Sequence, residues 1–216
     1  VDSIKSLHLL EDRDSDFFKS MMGVHPCYIK EKYQSELDTC SSWFDKRDYC
    51  AVGEIGIDLY WDKTTLEIQQ DAFRQQIKWA KELRKPIVIH ARESFEEIFQ
   101  IIDEENDESL TGVFHCFTGR IEEAEKIISF GGFKMGIGGV ITYKKSGLDK
   151  TIAQVPLSEL VLETDAPYLA PTPKRGKRNE SSYLLYIAEK LAEVKRETLS
   201  VVADVTTANA INLFDL

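Results

Sequence analysis

The feature that most restricts how this chain can fold is a repeated alternation. Short, continuous apolar runs, rich in β-branched residues, are each followed by a stretch of helical period. The runs occupy residues 21–24, 51–57, 86–89, 113–117, 133–140 and 160–162. Continuous apolarity, in place of an in–out alternation, suits parallel strands covered on both faces. Between the runs, residues 64–84 place Leu66, Phe73, Ile77 and Ala80 on one face, and residues 94–102 space Phe95, Ile98, Phe99 and Ile102 as a helix does. Ser94 with Glu97 reads as a capping box, and Gly131-Gly132 after residues 121–130 reads as a helix stop. Residues 181–195 group Leu184, Ile187, Ala188 and Leu191, and residues 197–213 give a last helical pattern. Repeated strand–helix units predict right-handed crossovers and a parallel sheet. A closed (β/α)8 barrel takes eight such units and about 250 residues. Six runs in 216 residues fall two units short. The expectation is an α/β fold, a TIM-type (β/α)8 barrel forming a single domain over residues 1–216, with its N-terminal strands missing from this sequence.

Composition removes several classes. With 43% hydrophobic and 30% charged residues, a disordered tail or a collagen-like polymer is excluded. No apolar run approaches the roughly 20 residues that span a bilayer, and the first residues lack the basic and apolar regions of a signal peptide. The net charge of −10, from 27 basic and 37 acidic residues, excludes a general electrostatic nucleic-acid binder. Any nucleic-acid contact must be local or run through bound cations. Cys27, Cys40, Cys50 and Cys116 show no CxxC spacing, which points to reduced thiols and a cytoplasmic protein.

Nearly every apolar run ends in a residue with chemical capability: His25, then Glu54 and Asp58, then His90 and Arg92, then His115, then Glu163 and Asp165. Taken singly, each has an ordinary explanation. A histidine ending a strand is commonly a satisfied core residue, and Asp165 before Ala-Pro is turn chemistry. Glu54 is harder to explain so, because it lies within Ala-Val-Gly-Glu-Ile-Gly-Ile and a dry carboxylate is costly unless paired or coordinated. Strand C-termini of parallel α/β folds share one face, where sites form. Histidines and carboxylates converging there make an N/O donor set suited to Zn²⁺, Mn²⁺ or similar ions. His8, in the leading segment, reads as incidental. Residues 173–178 carry four cations in six positions. Such runs are usually solvated loops, but this one follows Asp165 closely, where Lys174, Arg175, Lys177 and Arg178 can pair with phosphates. Tyr60, Trp61 and Tyr168 also lie in loops after strands and can stack on unpaired bases. Trp61 reads equally well as a loop lid or packing residue.

The segments GVHP (23–26), GEIGID (53–58), PIVIHAR (86–92), GVFHCFTG (112–119), GIGGVIT (136–142), ETDAPYLAP (163–171) and RGKRN (175–179) occur in this order. Together they resemble the TatD family of metal-dependent deoxyribonucleases, within the amidohydrolase-like superfamily of TIM-barrel hydrolases. The resemblance implies two divalent metal ions per subunit, Mg, Mn or Zn. It implies Glu54 as the carboxylate that bridges them, His90 and His115 as ligands of the second metal, and Asp165 as a ligand of the first that positions or deprotonates the attacking water. Glu54 and Asp165 are then the catalytic residues. His25 and Arg92 match positions near the substrate phosphate, and Arg175 and Lys177 match a loop bordering the DNA groove. The family's first strand ends in a His-x-His pair supplying two ligands of the first metal, and no His-x-His occurs here. The expectation is a fragment, with that strand upstream of Val1 and residues 1–11 belonging to the second βα unit. A smaller departure is Ser181, where the family usually has Pro after Asn-Glu.

The implied activity is divalent-metal-dependent cleavage of DNA phosphodiester bonds, 3′–5′ exonucleolysis included. The implied protein is a monomer that meets the phosphate backbone and single-stranded ends of DNA and no membrane. Two other readings stay open. One is hydrolysis of a small-molecule ester or amide, disfavoured by a glutamate at the bridging position, where many such barrels carry a carboxylated lysine, and by the basic rim. The other is a metal-poor, non-catalytic nucleic-acid-binding scaffold, motivated by the absent His-x-His. A single cationic rim on an acidic protein makes few phosphate contacts. Affinity for single-stranded DNA, measured against salt concentration, is therefore expected to fall with a shallow log–log slope; a slope near about ten, as for an extensive phosphate interface, contradicts this reading.

Overall fold

Strands form within the apolar runs but not along all of each run. The computed structural model describes residues 2–216, so Val1, the first residue of the opening segment discussed above, lies outside the described residues. The strands are β1 (Val52–Asp58), β2 (Ile87–Arg92), β3 (Gly112–Phe114), β4 (Phe133–Ile137) and β5 (Leu160–Leu162). The helices are α1 (Asp2–Arg13), α2 (Tyr33–Ser41), α3 (Leu66–Leu83), α4 (Phe95–Glu105), α5 (Ile121–Ser129), α6 (Leu148–Ile152), α7 (Leu184–Lys195) and α8 (Leu199–Phe214), with short 3-10 turns between them. No helix among the described residues is long and apolar enough to cross a membrane. Internal contacts divide the chain into two units, Val1–Leu110 and Thr111–Leu216.

In the first unit β1 and β2 pair in parallel, from Val52 opposite Ile87 to Asp58 opposite Arg92. Ile55, Ile57, Ile87 and Ile89 are fully buried, as expected of strands covered on both faces. Helix α3 packs on β1. Phe73, Ile77 and Ala80 are buried on its inner face, as the period predicts, and Gln69 and Gln76 share that face. The register of β1 shifts between Gly53 and Ile55, so Glu54 is the extra residue of a bulge. Bulges re-aim a side chain out of the ladder.

Run 21–24 does not become a strand. Met22 alone makes a bridge, to Val52. Two residues later the side-chain amide of Gln76, almost fully buried, takes over the backbone: Val24 N–H donates to Gln76 Oε1 at 2.7 Å, and Gln76 Nε2 donates to the Val24 carbonyl at 3.3 Å. A glutamine on α3 thus stands in for a neighbouring strand and holds the backbone just before His25.

Helix α4 begins at the expected place without the expected cap. Ser94 makes no capping hydrogen bond to its helix. Its buried hydroxyl donates to the Ile57 carbonyl at 2.6 Å and accepts from the Arg92 amide at 3.1 Å. The hydroxyl is already committed to two strand ends, and that rules out the capping box.

In the second unit β3, β4 and β5 pair in parallel, Gly112 opposite Phe133 and Met135 opposite Leu160. Phe114, Phe133, Met135, Ile137 and Leu160 form the buried centre. Run 133–140 is a strand only to Ile137; Gly139–Thr142 is a 3-10 turn. Helix α5 opens with the cap that α4 lacks: the Arg120 amide donates to Glu123 Oε2 at 2.7 Å. Helix α7 buries Ile187, Ala188, Leu191 and Ala192.

The two α4 residues separate the competing local readings. Ser94→Ala removes both hydrogen bonds of the buried hydroxyl, to the Ile57 carbonyl and from the Arg92 amide, and is expected to cost about 1–3 kcal/mol of unfolding free energy. Glu97→Ala, which a capping box would make costly, is expected to stay within about 0.5 kcal/mol. Urea denaturation of the two variants checks both, and equal costs contradict the structure.

Candidate metal centres

The first cluster belongs to the first unit. The bulge on β1 turns Glu54 out of the ladder, with its side chain about one quarter exposed and Oε2 3.6 Å from His25 Nε2. His90 lies on β2 opposite Gly56. Gly56 has φ +134°, and a Cβ there would sit 2.2 Å from the His90 carbonyl oxygen. Only glycine admits this approach of the two strands. His90 Nδ1 is 3.3 Å from His25 Nε2, and His90 Nε2 is 2.9 Å from Asp58 Oδ2. His25, Glu54 and His90 each offer a ligand atom, and the three atoms lie within 4.8 Å of one another. The mixed N/O chemistry of Glu54 and His90 fits a divalent cation, with His25 beside them.

Asp58 organises this cluster. It ends β1, is 2% exposed, and its main chain is clamped by Gln69: the Asp58 amide donates to Gln69 Oε1 at 2.8 Å, and Gln69 Nε2 donates back to the Asp58 carbonyl at 3.1 Å. Asp58 Oδ1 accepts from the amides of Tyr60 at 3.0 Å and Trp61 at 3.4 Å. Burial alone would raise the Asp58 carboxyl. The hydrogen bonds from His90 and from those two amides outweigh burial and hold it below its ordinary value. A carboxylate therefore faces His90 Nε2, which carries the proton, and Nδ1, 3.3 Å from His25 Nε2, is the acceptor nitrogen of the ring, the arrangement by which carboxylates orient ligating histidines. His25 is opposite in sense. Its Nδ1 accepts from the Cys27 amide at 3.1 Å, so in the neutral ring the proton sits on Nε2. These tautomers are assigned from the hydrogen-bond partners. The Cys27 thiol is pushed up to about 11 by burial and by Asp58 beside it, so it is protonated at neutral pH and no nucleophile.

The second cluster belongs to the second unit. His115 follows β3 directly and Glu163 follows β5 directly. His115 Nδ1 lies 3.0 Å from Glu163 Oε1, which also accepts from the Cys116 amide at 2.8 Å. His115 Nε2 lies 3.8 Å from Asp165 Oδ1. One cation with N and O ligands at about 2.0–2.2 Å spans that separation. Gly136 on β4 makes room for Glu163, because a Cβ there would be 2.0 Å from Glu163 Oε2. Asp165 and Cys116 have φ of 57° and 47°, the left-handed region that residues other than glycine seldom adopt. Such conformations cost of order 1–3 kcal/mol and collect at functional sites.

The structure thus brings His25, Glu54 and His90 together, and separately His115 and Asp165. Arg92 is exposed, with its guanidinium 3.7 Å above the Tyr60 ring. Arg175 lies 3.8 Å above the Tyr143 ring, and Lys177 is exposed. Asn179, buried, anchors this cationic loop by donating to the carbonyls of Thr164 and Tyr168, each at 2.6 Å. His8 is buried and pairs with the Tyr49 hydroxyl at 2.9 Å. None of the four cysteines is in a disulfide. Sequence reasoning noticed Asp58 and Glu163 as strand-end carboxylates but left them out of the site. Their role depends on which imidazole nitrogen each faces, and no spacing in the sequence records that.

A family model described as TatD related DNase matches residues 2–215. The chain is 37% identical over 211 residues to the uncharacterized metal-dependent hydrolase YabD of Bacillus subtilis, covering 97% of this chain and 82% of that protein. It is 32% identical over 213 residues to the 3′-5′ ssDNA/RNA exonuclease TatD of Pantoea ananatis, covering 96% and 82%. The crystal structure of YJJV, a TATD homolog from Escherichia coli, superposes with a TM-score of 0.91 at 28% identity, covering 100% of this chain and 83% of that one. With this match the chain takes the TIM-type α/β barrel class expected from its strand–helix alternation.

The Asp58–His90 contact has a direct test. In Asp58→Asn the amide Nδ2 would donate to His90 Nε2 and move the imidazole proton to Nδ1, occupying the lone pair meant for a cation. Affinity for Mn²⁺ or Zn²⁺, measured by chelator competition, is expected to fall 10- to 100-fold. Unchanged affinity contradicts the assigned orientation.

Proposed function

The chain belongs to the TatD-related DNase family of metal-dependent hydrolases, and from that premise we propose that it cleaves phosphodiester bonds of DNA, 3′–5′ exonucleolysis included. Residues 1–216 then act as one hydrolase domain, a cytoplasmic monomer using two divalent ions, Mg, Mn or Zn. The observation that carries this reading is the pair of strand-end imidazoles, each faced by a carboxylate: His90 by Asp58 and His115 by Glu163. Such pairing spends one ring nitrogen on orientation and leaves the other for a cation. Glu54 and His90 in the first cluster, and His115 and Asp165 in the second, are the residues that would hold the metal ions. When bound, divalent cations supply Lewis acidity toward phosphate oxygens and lower the pKa of water.

The chain's own residues do the rest. Asp165 takes the proton of the attacking water on a carboxylate oxygen. His25, with its proton on Nε2, and the Arg92 guanidinium donate to the non-bridging oxygens of the phosphate and stabilise charge developing there. Arg175 and Lys177 hold the neighbouring backbone phosphates. A nucleic-acid substrate is supported by the cationic loop after β5 and by the name of the Pantoea ananatis relative. The basic rim does not suit a small neutral ester.

Asp165→Asn removes the proton acceptor while leaving the cationic contacts in place. Cleavage of a single-stranded oligonucleotide with added Mg²⁺ or Mn²⁺ is expected to slow by roughly 100-fold or more, with binding by fluorescence anisotropy little changed. Retained cleavage refutes the assignment.

A further inference from the structure

The residues after β1 form a feature that hydrolysis alone does not use. Tyr60 and Trp61 are 50% and 71% exposed. Their loop is nevertheless pinned at both ends. Asp58 Oδ1 accepts from the Tyr60 and Trp61 amides, and Asp62 Oδ1 accepts from the Thr64 amide at 2.9 Å and the Thr64 hydroxyl at 2.6 Å. Two large rings are thus held in water on an ordered loop, an arrangement that gives up the burial such rings normally gain. The rings meet edge to face, with centroids 4.9 Å apart and planes at 88°, so they form a corner. The Arg92 guanidinium lies 3.7 Å over the Tyr60 ring and 5.5 Å from the Trp61 ring.

The charges around this corner point the same way. Lys63 and Glu93 pair at 3.6 Å and cancel each other. Arg92 is exposed, and no ion pair of Arg92 with a carboxylate is found among the described residues. A planar guanidinium on an aromatic face still presents its N–H edge to a phosphate. The corner also adjoins the first cluster. Arg92 is two residues beyond His90 on β2, and the Asp58 carboxylate that receives the Tyr60 and Trp61 amides also faces His90.

We propose that Tyr60, Trp61 and Arg92 form a seat for one unpaired nucleobase and its phosphate, the base stacking on the aromatic corner and the phosphate meeting Arg92. The size of the feature, two rings and one cation, matches a single nucleotide. Stacking on an exposed aromatic face accepts any base. A base within a duplex already has both faces stacked, so the seat selects single strands and frayed ends. This inference rests on the nucleic-acid reading of the site and adds to it the residues that would take the unpaired base.

The test compares two phosphorothioate-linked oligomers that resist cleavage, an oligothymidylate and the same oligomer with abasic positions, each bound to the full chain in Mg²⁺ and followed by fluorescence anisotropy. The wild-type protein is expected to prefer the base-bearing oligomer. Trp61→Ala is expected to reduce that preference roughly tenfold, and Trp61→Phe to keep most of it. The proposal is overturned if Trp61→Ala weakens both oligomers by the same factor, or leaves the preference as it was. Cleavage of the unmodified oligothymidylate by the wild-type protein reports separately on the nuclease reading. A Trp61-dependent preference without cleavage keeps the seat and refutes the nuclease; cleavage without the preference does the reverse.

Discussion

The first unit depends on one buried carboxylate. Asp58 ends the strand that carries Glu54, and its two oxygens hold different things: one faces the His90 imidazole, the other the amides that open the Tyr60–Trp61 loop. A nearly fully buried carboxylate is costly unless its oxygens are satisfied. Here they are satisfied by the groups the site must position, so the interactions that offset the burial also orient them. Gln69 then prevents the strand end from shifting, because its amide bonds both backbone groups of Asp58. Removing the charge would loosen an imidazole and the Tyr60–Trp61 loop together.

The second unit uses the same device on different strands. Glu163 orients His115 as Asp58 orients His90, and the space for it comes from Gly136, where any side chain would collide with the carboxylate. The cost is shifted to the backbone: Cys116 and Asp165 flank this arrangement with positive φ. A backbone conformation that ordinary residues avoid persists only where its surroundings over-determine it. Around Asp165 those surroundings include Asn179, whose buried amide ties the following loop to the carbonyls of Thr164 and Tyr168.

Much of this was legible beforehand, and the failures share a cause. Runs 51–57, 86–89 and 160–162 contain strands, and the apolar faces of α3, α4 and α7 are the buried ones, because burial on both strand faces and on one helix face writes itself into hydrophobic pattern. Run 21–24 carried the same pattern and Met22 does bridge to Val52, yet at Val24 it is Gln76 that supplies the backbone partner, and a glutamine 52 residues away gives no local signal. Ser94 and Glu97 had the spacing of a capping box, but Ile57 and Arg92 competed for the hydroxyl and won. Local spacing predicts what a residue can do within its own element; it does not register a stronger partner brought in from another.

The same division separates the site into two parts. The sequence by itself determined the strand–helix alternation, the family, and the residue types at the strand ends, because periodicity and motif order survive in one dimension. Only the tertiary structure decided that β1 bulges at Glu54, that His90 offers a lone pair while His25 offers a proton, and that Asp58 and Glu163 belong to the site. Each of these depends on which atom of one residue faces which atom of another across a strand pair or a loop. That is a matter of distance and direction, set once the chain has packed.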